Sequence, residues 1–385
     1  MRAGRYIKQP SDYWAFIPAE LPPMPPVVMD AELTRLLSDA DRALGRLDGV
    51  ATVLPNLDLL VAMYVRLEAV LSSQIEGTQS TLQDVLAYEV NAKRGARPKD
   101  VEEVVNYVAA MNHGLQRLPE LPVSLRLIRE IHERLMVDVP GSELQPGEFR
   151  RSQNWIGAQG CPLKNADFVP PPPHEMLPAL DNLERFIRQR NSLPLLIQCG
   201  LMHAQFETIH PFLDGNGRVG RLLITFLLCE QKILLRPLLY LSYYLNGRKA
   251  EYYDRLTAVR VDGDWEGWLK FFLRGVYEVS LSATETARRI LALREAHRQI
   301  LSGVFSAASN ALRLHDRMFE KPTFSVGEAK QIIGCSFGTA NSIVEKLEEL
   351  ELVREITGQD RNRRYQYEPY VRLFDPNNLA IAMDD

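Results

Sequence analysis

Two apolar helices separated by a nine-residue loop constrain this 385-residue chain more than any other feature. The run "LPLLIQCGLMHAQFETIH" reads as a helix ending at His210, with Pro211 as its stop. "RVGRLLITFLLCEQKIL" reads as a second helix whose N-terminus abuts the loop "HPFLDGNGR", residues 210–218. A loop needs turn residues, but it does not need a histidine, an acid and an arginine together. Gly215 and Gly217 lie where backbone N–H groups at a helix start are free, and glycine permits the dihedrals that turn them inward as an anion cup. Asn216 adds an amide donor. Arg218 and Arg221, three apart, project from one face of the first turn and suit more than one phosphate. Asp214, the single acid, suits Mg²⁺ beside a polyphosphate. His210, ordinarily titrating near neutrality, suits a base that takes a proton from an attacking hydroxyl. Together they point to transfer of a phosphate-containing group from a nucleotide.

A plain helix–helix connection, with Asp and Asn as turn formers, is the simplest alternative. A calcium loop of the EF-hand kind fails on spacing, since its fifth and twelfth positions would be Arg218 and Thr225. A Walker-type loop fails because no Gly-Lys-Ser/Thr follows the glycines. Elsewhere the chain is mostly helical by pattern, from Asp30 to about Val90, over Val101–Leu118 and Val123–Met136, and again from Met176 onward. Residues 1 to about 30 are proline-rich and predict an extended arm. Between Pro146 and Pro173, short β-prone runs at Asn154–Ile156 and Asp167–Val169 flank a Gly, Pro and Asn-rich turn and predict a hairpin.

The whole string resembles the Fic family signature HPFx[D/E]GNGRxxR, with every fixed position present from His210 to Arg221. The surrounding pattern agrees over roughly residues 60 to 290. The resemblance implies a mainly α fold, a Fic-type helical core with a small β-hairpin flap, and a protein adenylyltransferase that uses ATP and Mg²⁺. It implies that His210 deprotonates a Ser, Thr or Tyr hydroxyl of a target protein, which attacks the α-phosphate as pyrophosphate leaves. It further implies Mg²⁺ on Asp214, the anion cup at Gly215, Asn216 and Gly217 with Asn216 on the α-phosphate, Arg218 on the β-phosphate and Arg221 on the γ-phosphate. Tyr252, Tyr253 and Trp265 stand near where the family places adenine contacts. The hairpin at 148–168 resembles the family's flap, whose edge would hold an extended segment of the target protein.

Residues 72–77, "SSQIEG", end a helix with a glutamate where the helix dipole disfavours negative charge. As Ser72, Glu76 and Gly77 they match the family's inhibitory motif [S/T]xxxE[G/N], in the subgroup that carries it N-terminally. The implied brake is Glu76 paired with Arg221, which removes the γ-phosphate's arginine. Some relatives use that glutamate to remove AMP, and others move UMP, phosphocholine or phosphate. A nucleotide-sensing regulator is the non-enzymatic alternative, and an intact His210 counts against it.

From about Arg298 the pattern reads helix, turn, helix and two strands, a winged helix-turn-helix arrangement. The expected division is 1–100 for the arm and inhibitory region, 101–297 for the catalytic core and 298–385 for the C-terminal domain. Residues 321–370 hold seven Lys or Arg against eight Asp or Glu, a net of −1, which weighs against independent DNA binding. A homodimer is compatible with the sequence. The net charge of −4 argues against a general nucleic-acid or anionic-membrane binder, and no apolar run reaches the length of a membrane span. Four separated cysteines without CxxC spacing read as buried free thiols, and the N-terminus lacks the apolar run of a signal peptide, so a cytoplasmic location is expected.

Overall fold

Helices α7 (Leu195–Ile209) and α8 (Asn216–Glu230) form the centre of the structure, a computed structural model that describes residues 2–52, 57–91, 99–158, 160–189, 193–305 and 309–379. Residues 196–209 of α7 are all buried, as a helix apolar on every face must be. Most of its polar side chains are satisfied, Glu207 Oε1 excepted. Gln198 donates to the Phe186 carbonyl at 2.8 Å, and the His203 ring bridges the Gly220 carbonyl at 3.0 Å and the Tyr252 hydroxyl at 2.8 Å.

Around this pair, in chain order, lie α1 (Ala31–Thr52), α2 (Leu57–Glu76), α3 (Leu82–Asn91), α4 (Lys99–Arg117), α5 (Leu125–Leu135) and α6 (Pro173–Arg188). After α8 come α9 (Ser242–Gly247), α10 (Lys249–Asp262) and α11 (Trp265–Val304). Helix α1 lies along α11, α2 meets α4, α8 and α9, and α4 meets α5 and α8. The mainly α expectation holds. Among the described residues no helix is long and apolar enough to cross a membrane. The four cysteines are free, but only Cys199 is fully buried.

The N-terminal arm differs from expectation. Residues 4–18 pair as an antiparallel hairpin, β1 (Gly4–Lys8) with β2 (Trp14–Pro18), in a register that sets Tyr6 opposite Phe16. Only the proline-rich part beyond it is extended, and it is tied down by the Ala19 carbonyl to Gln205 and the Leu21 N–H to Asn182. Aromatic and β-branched residues on both sides of a Gln9–Asp12 turn outweigh the proline content.

The expected hairpin at 148–168 is reduced to one antiparallel bridge, Ile156 with Phe168, flanked by a short 3-10 turn at Leu163–Asn165. Pro162 and the prolines from Pro170 to Pro173 supply no N–H for a longer ladder. The bridge is backed instead by the N-terminal hairpin, where the Phe16 N–H donates to the Val169 carbonyl at 2.9 Å.

The C-terminal part runs α12 (Ser309–Met318), β3 (Thr323–Ser325), α13 (Val326–Ile333), α14 (Phe337–Glu349), β4 (Arg354–Glu355) and β5 (Arg364–Gln366), then short helices α15 (Glu368–Val371) and α16 (Pro376–Leu379). Its three strands form an antiparallel sheet in the order β3-β5-β4. Ser325 and Glu328 close a reciprocal capping box at the start of α13.

Candidate functional site

His210 caps α7 in the left-handed region, with φ 50° and ψ 62°, a conformation uncommon for a residue with a side chain, though Lys232 and Glu351 share it, and one held here by an added constraint. The constraint is Arg150, whose buried guanidinium donates to the His210 carbonyl at 2.9 Å and also reaches the Ile209, Ser152 and Pro171 carbonyls. Burial and then the nearby Arg150 charge lower the His210 pKa to about 4, so its ring is neutral at pH 7. Its Nδ1 is buried without a hydrogen-bond partner.

The turn is braced from within. Asn216 accepts the Phe212 N–H and donates to the Phe212 carbonyl, both at 2.8 Å. One of its two amide N–H groups is thus used in holding the loop. Phe212 is fully buried and stacks on His132 of α5, with centroids 3.7 Å apart. His132 accepts the Gly147 N–H on Nδ1, so its Nε2 carries the proton toward the Asp214 carbonyl at 3.0 Å. Burial lowers its pKa to about 4 and keeps that tautomer neutral. Gly215, at φ 77°, begins α8. Asp214 turns one carboxylate oxygen to the Gly215 N–H at 2.5 Å, while its side chain remains 45% exposed.

Both arginines are buried and both are occupied. Arg221 donates from Nε to the Ser72 hydroxyl at 2.7 Å, and from Nη2 to the Ser72 carbonyl at 2.9 Å and Glu76 Oε1 at 2.5 Å. Burial opposes the charge on Glu76, but Arg221 overrides it and holds the carboxyl below its ordinary range. Burial likewise opposes the charge on Arg221, and Glu76 raises its pKa in return. Gly77, at φ 110°, turns the chain away immediately after this contact. A Cβ on Gly217 would lie 2.3 Å from Glu76 Oε1, so a larger residue there would push that carboxylate aside. Arg218 meets Glu103 of α4 at 3.0 Å.

The structure thus brings together His210, Asp214, Gly215, Asn216, Gly217, Arg218, Arg221, Ser72, Glu76 and Gly77. The three aromatics separate. Tyr252 and Trp265 are 1% exposed and belong to the core, so neither offers a face to a ligand; Tyr253, at 40%, does. Side chains missed in the sequence are Arg150, Asn154, His132, Glu103 and two acids behind Arg221. Glu207 and Glu68 are each pushed to about 7 by burial, and Glu68 is bonded to Ser242 and Tyr107. Nothing in the local pattern around them marks these residues. They act through partners far away in the chain.

Comparisons with known proteins bear on the family and the fold. The Fic/DOC family N-terminal model matches residues 34–116, and the Fic/DOC family model matches residues 122–228. A protein adenylyltransferase Fic of Drosophila grimshawi is 30% identical over 154 residues, 39% of this chain and 29% of that protein. Its Drosophila melanogaster counterpart is 32% identical over 111 residues, 28% of this chain and 20% of that protein. The chain thus matches under a third of the length of these curated relatives. A crystal structure of a Fic family protein from Desulfovibrio desulfuricans superposes with a TM-score of 0.56 at 20% identity, covering 89% of this chain and 97% of that one, a likeness of fold.

Proposed function

Because the chain belongs to the Fic/DOC family, we propose that it is a protein adenylyltransferase, moving AMP from ATP to a Ser, Thr or Tyr hydroxyl of a target protein and of itself. The observation that carries this reading is the meeting of a neutral histidine with a helix start bearing two buried arginines. Neutral His210 can accept the hydroxyl proton, and the negative charge of a bound triphosphate raises its pKa back toward the range where a base is effective. The hydroxyl oxygen then bonds to the α-phosphorus as the bond to pyrophosphate breaks. Arg218 and Arg221 are assigned the β- and γ-phosphates, and the backbone at Gly215–Gly217 the anion cup.

Asp214 fits Mg²⁺. One of its carboxylate oxygens is held by Gly215, and the other lies beside Gly141, where a Cβ would approach to 2.7 Å. Among the described residues no three protein ligands converge, so Asp214 would hold an ion that keeps phosphate and water oxygens. When bound, the ion supplies positive charge to the phosphates.

The Glu76–Arg221 pair supports autoinhibition, because the γ-phosphate and Glu76 compete for one guanidinium. The segment 148–168, with Trp155 and Ile156 exposed, is assigned to the target protein. Residues 298–385 are read as a winged-helix module for protein contacts, although α11 crosses residue 297 without a break. The 1–100 and 101–297 division likewise falls inside α4. A cytoplasmic location belongs to the same reading.

Intact-mass spectrometry after incubation with each nucleotide and Mg²⁺ tests the reading. One added AMP on a hydroxyl is expected with ATP. An added UMP, phosphocholine or phosphate in its place, or no addition even when Glu76 is replaced, overturns it.

A further inference from the structure

Arg221 has an opponent in Glu76, and Arg218 has one of its own. Glu103 Oε2 lies 3.0 Å from Arg218 Nη1, with the two side chains 16% and 4% exposed. The other contacts of Arg218 are loose: Met136 Sδ at 3.8 Å and Asp214 Oδ1 at 3.7 Å, while its Nε is buried without a partner. Glu103 is therefore the one close anion at this guanidinium among the described residues. The surroundings of Glu103 are adverse to its charge. Burial, together with Asp214, Asp100 and Glu76, outweighs the help of Arg218 and raises its pKa. A carboxylate drawn out of water among three acids and held by one arginine yields readily to a phosphate, which brings more charge and more acceptor oxygens.

We propose that Glu103 is a positioning residue that occupies Arg218 in competition with the nucleotide, so that it sets the affinity for any nucleotide bearing a β-phosphate. Glu76, paired with Arg221 one turn further along α8, acts chiefly on the third phosphate. The inference rests on the triphosphate assignment above and deepens it. The two carboxylates are also joined mechanically. The Gln79 N–H, just beyond Gly77, donates to Asp100 at 2.9 Å, and Asp100 lies three residues before Glu103 on α4.

Calorimetric titration of the full chain with ATP, ADP and AMP in Mg²⁺ tests this. Glu103→Gln is expected to tighten ADP and ATP alike, on the order of ten-fold, and to leave AMP unchanged. Glu103→Asp, which keeps the charge but shortens the reach, is expected to fall between. Glu76→Gly is expected to tighten ATP without tightening ADP. In transfer assays the Glu103→Gln gain should fall on KM, with kcat within about two-fold. Unchanged or weaker ADP binding in both Glu103 variants, in protein that melts normally and binds ATP when Glu76 is replaced, overturns the inference by itself. Failure of every variant to bind ATP overturns it together with the reading it rests on.

Discussion

The loop at 210–218 and the C-terminal part of the chain treat their buried polar groups in opposite ways. Around the loop, His210 Nδ1, Arg218 Nε, Glu207 Oε1 and Asn154 Oδ1 are buried without partners, as are the hydroxyls of Ser73, Thr78 and Ser80 where α2 ends. Across residues 309–379, His315 Nδ1 is the one such atom among the described side chains. There Glu328 alone serves Ser325, Lys321 and Arg364. An unpaired buried polar group costs about 1–3 kcal/mol, so their concentration around the loop is a cost to stability that the C-terminal part largely avoids. The C-terminal part is built to hold itself together.

Substitutions should divide along that line. His210→Ala is expected to lower AMP transfer roughly a thousand-fold while moving the melting temperature little. A large loss of stability would make His210 a structural residue and erase the contrast. Glu76→Gly should raise self-modification by labelled ATP by about five- to a hundred-fold, because it frees Arg221. An unchanged rate would remove the brake.

Acid should sharpen the contrast. His315, pushed to about 3 by burial, and His297, also lowered, both bond the Tyr367 hydroxyl. They bind protons more readily unfolded, so the stability they lend is complete above pH 6.5 and is lost as pH falls toward 3. By pH 5 His315 alone accounts for about 2 kcal/mol. Near the loop, His132, His203 and His210 behave the same way with values of about 4. Glu68 and Glu207, raised to about 7, bind protons more readily folded and so add stability as pH falls from 7 toward 4.5. Hydrogen exchange at pH 5 should therefore open α12 and its neighbours before α7 and α8; the reverse order would break the comparison. The smallest effect is expected for Glu328→Ala, which should cost the C-terminal part about 1 kcal/mol in denaturant and leave transfer unchanged.

How far the sequence reached follows the same division between local and distant. The loop was legible because its chemistry is contiguous, from His210 to Arg221, and because both flanking helices are apolar runs of helical length. The pairing of Glu76 with Arg221, 145 residues apart, was accessible only through a family pattern. Arg150 and His132 carry no local signature, since each is defined by carbonyls or rings that other elements bring to it. Asn216 shows the converse limit. A donor beside an anion cup suggested a ligand contact, but the same amide geometry also closes the turn onto Phe212. In the 148–168 segment the expected runs at Asn154–Ile156 and Asp167–Val169 meet only through Ile156 and Phe168, and the proline spacing leaves no ladder.

Helix α11 has a consequence for reach. Its forty residues contain no proline and extend from Trp265, packed in the core, to Val304 beside α12, a rod of about 60 Å. The rod does not carry the C-terminal part away from the loop. Phe374 packs edge-on against Tyr64 of α2, and the Leu379 carbonyl meets Ser282 midway along α11, so the chain's end is folded back onto the helices that surround the loop. Adding whole turns to α11 would shear these contacts before it moved the two parts apart.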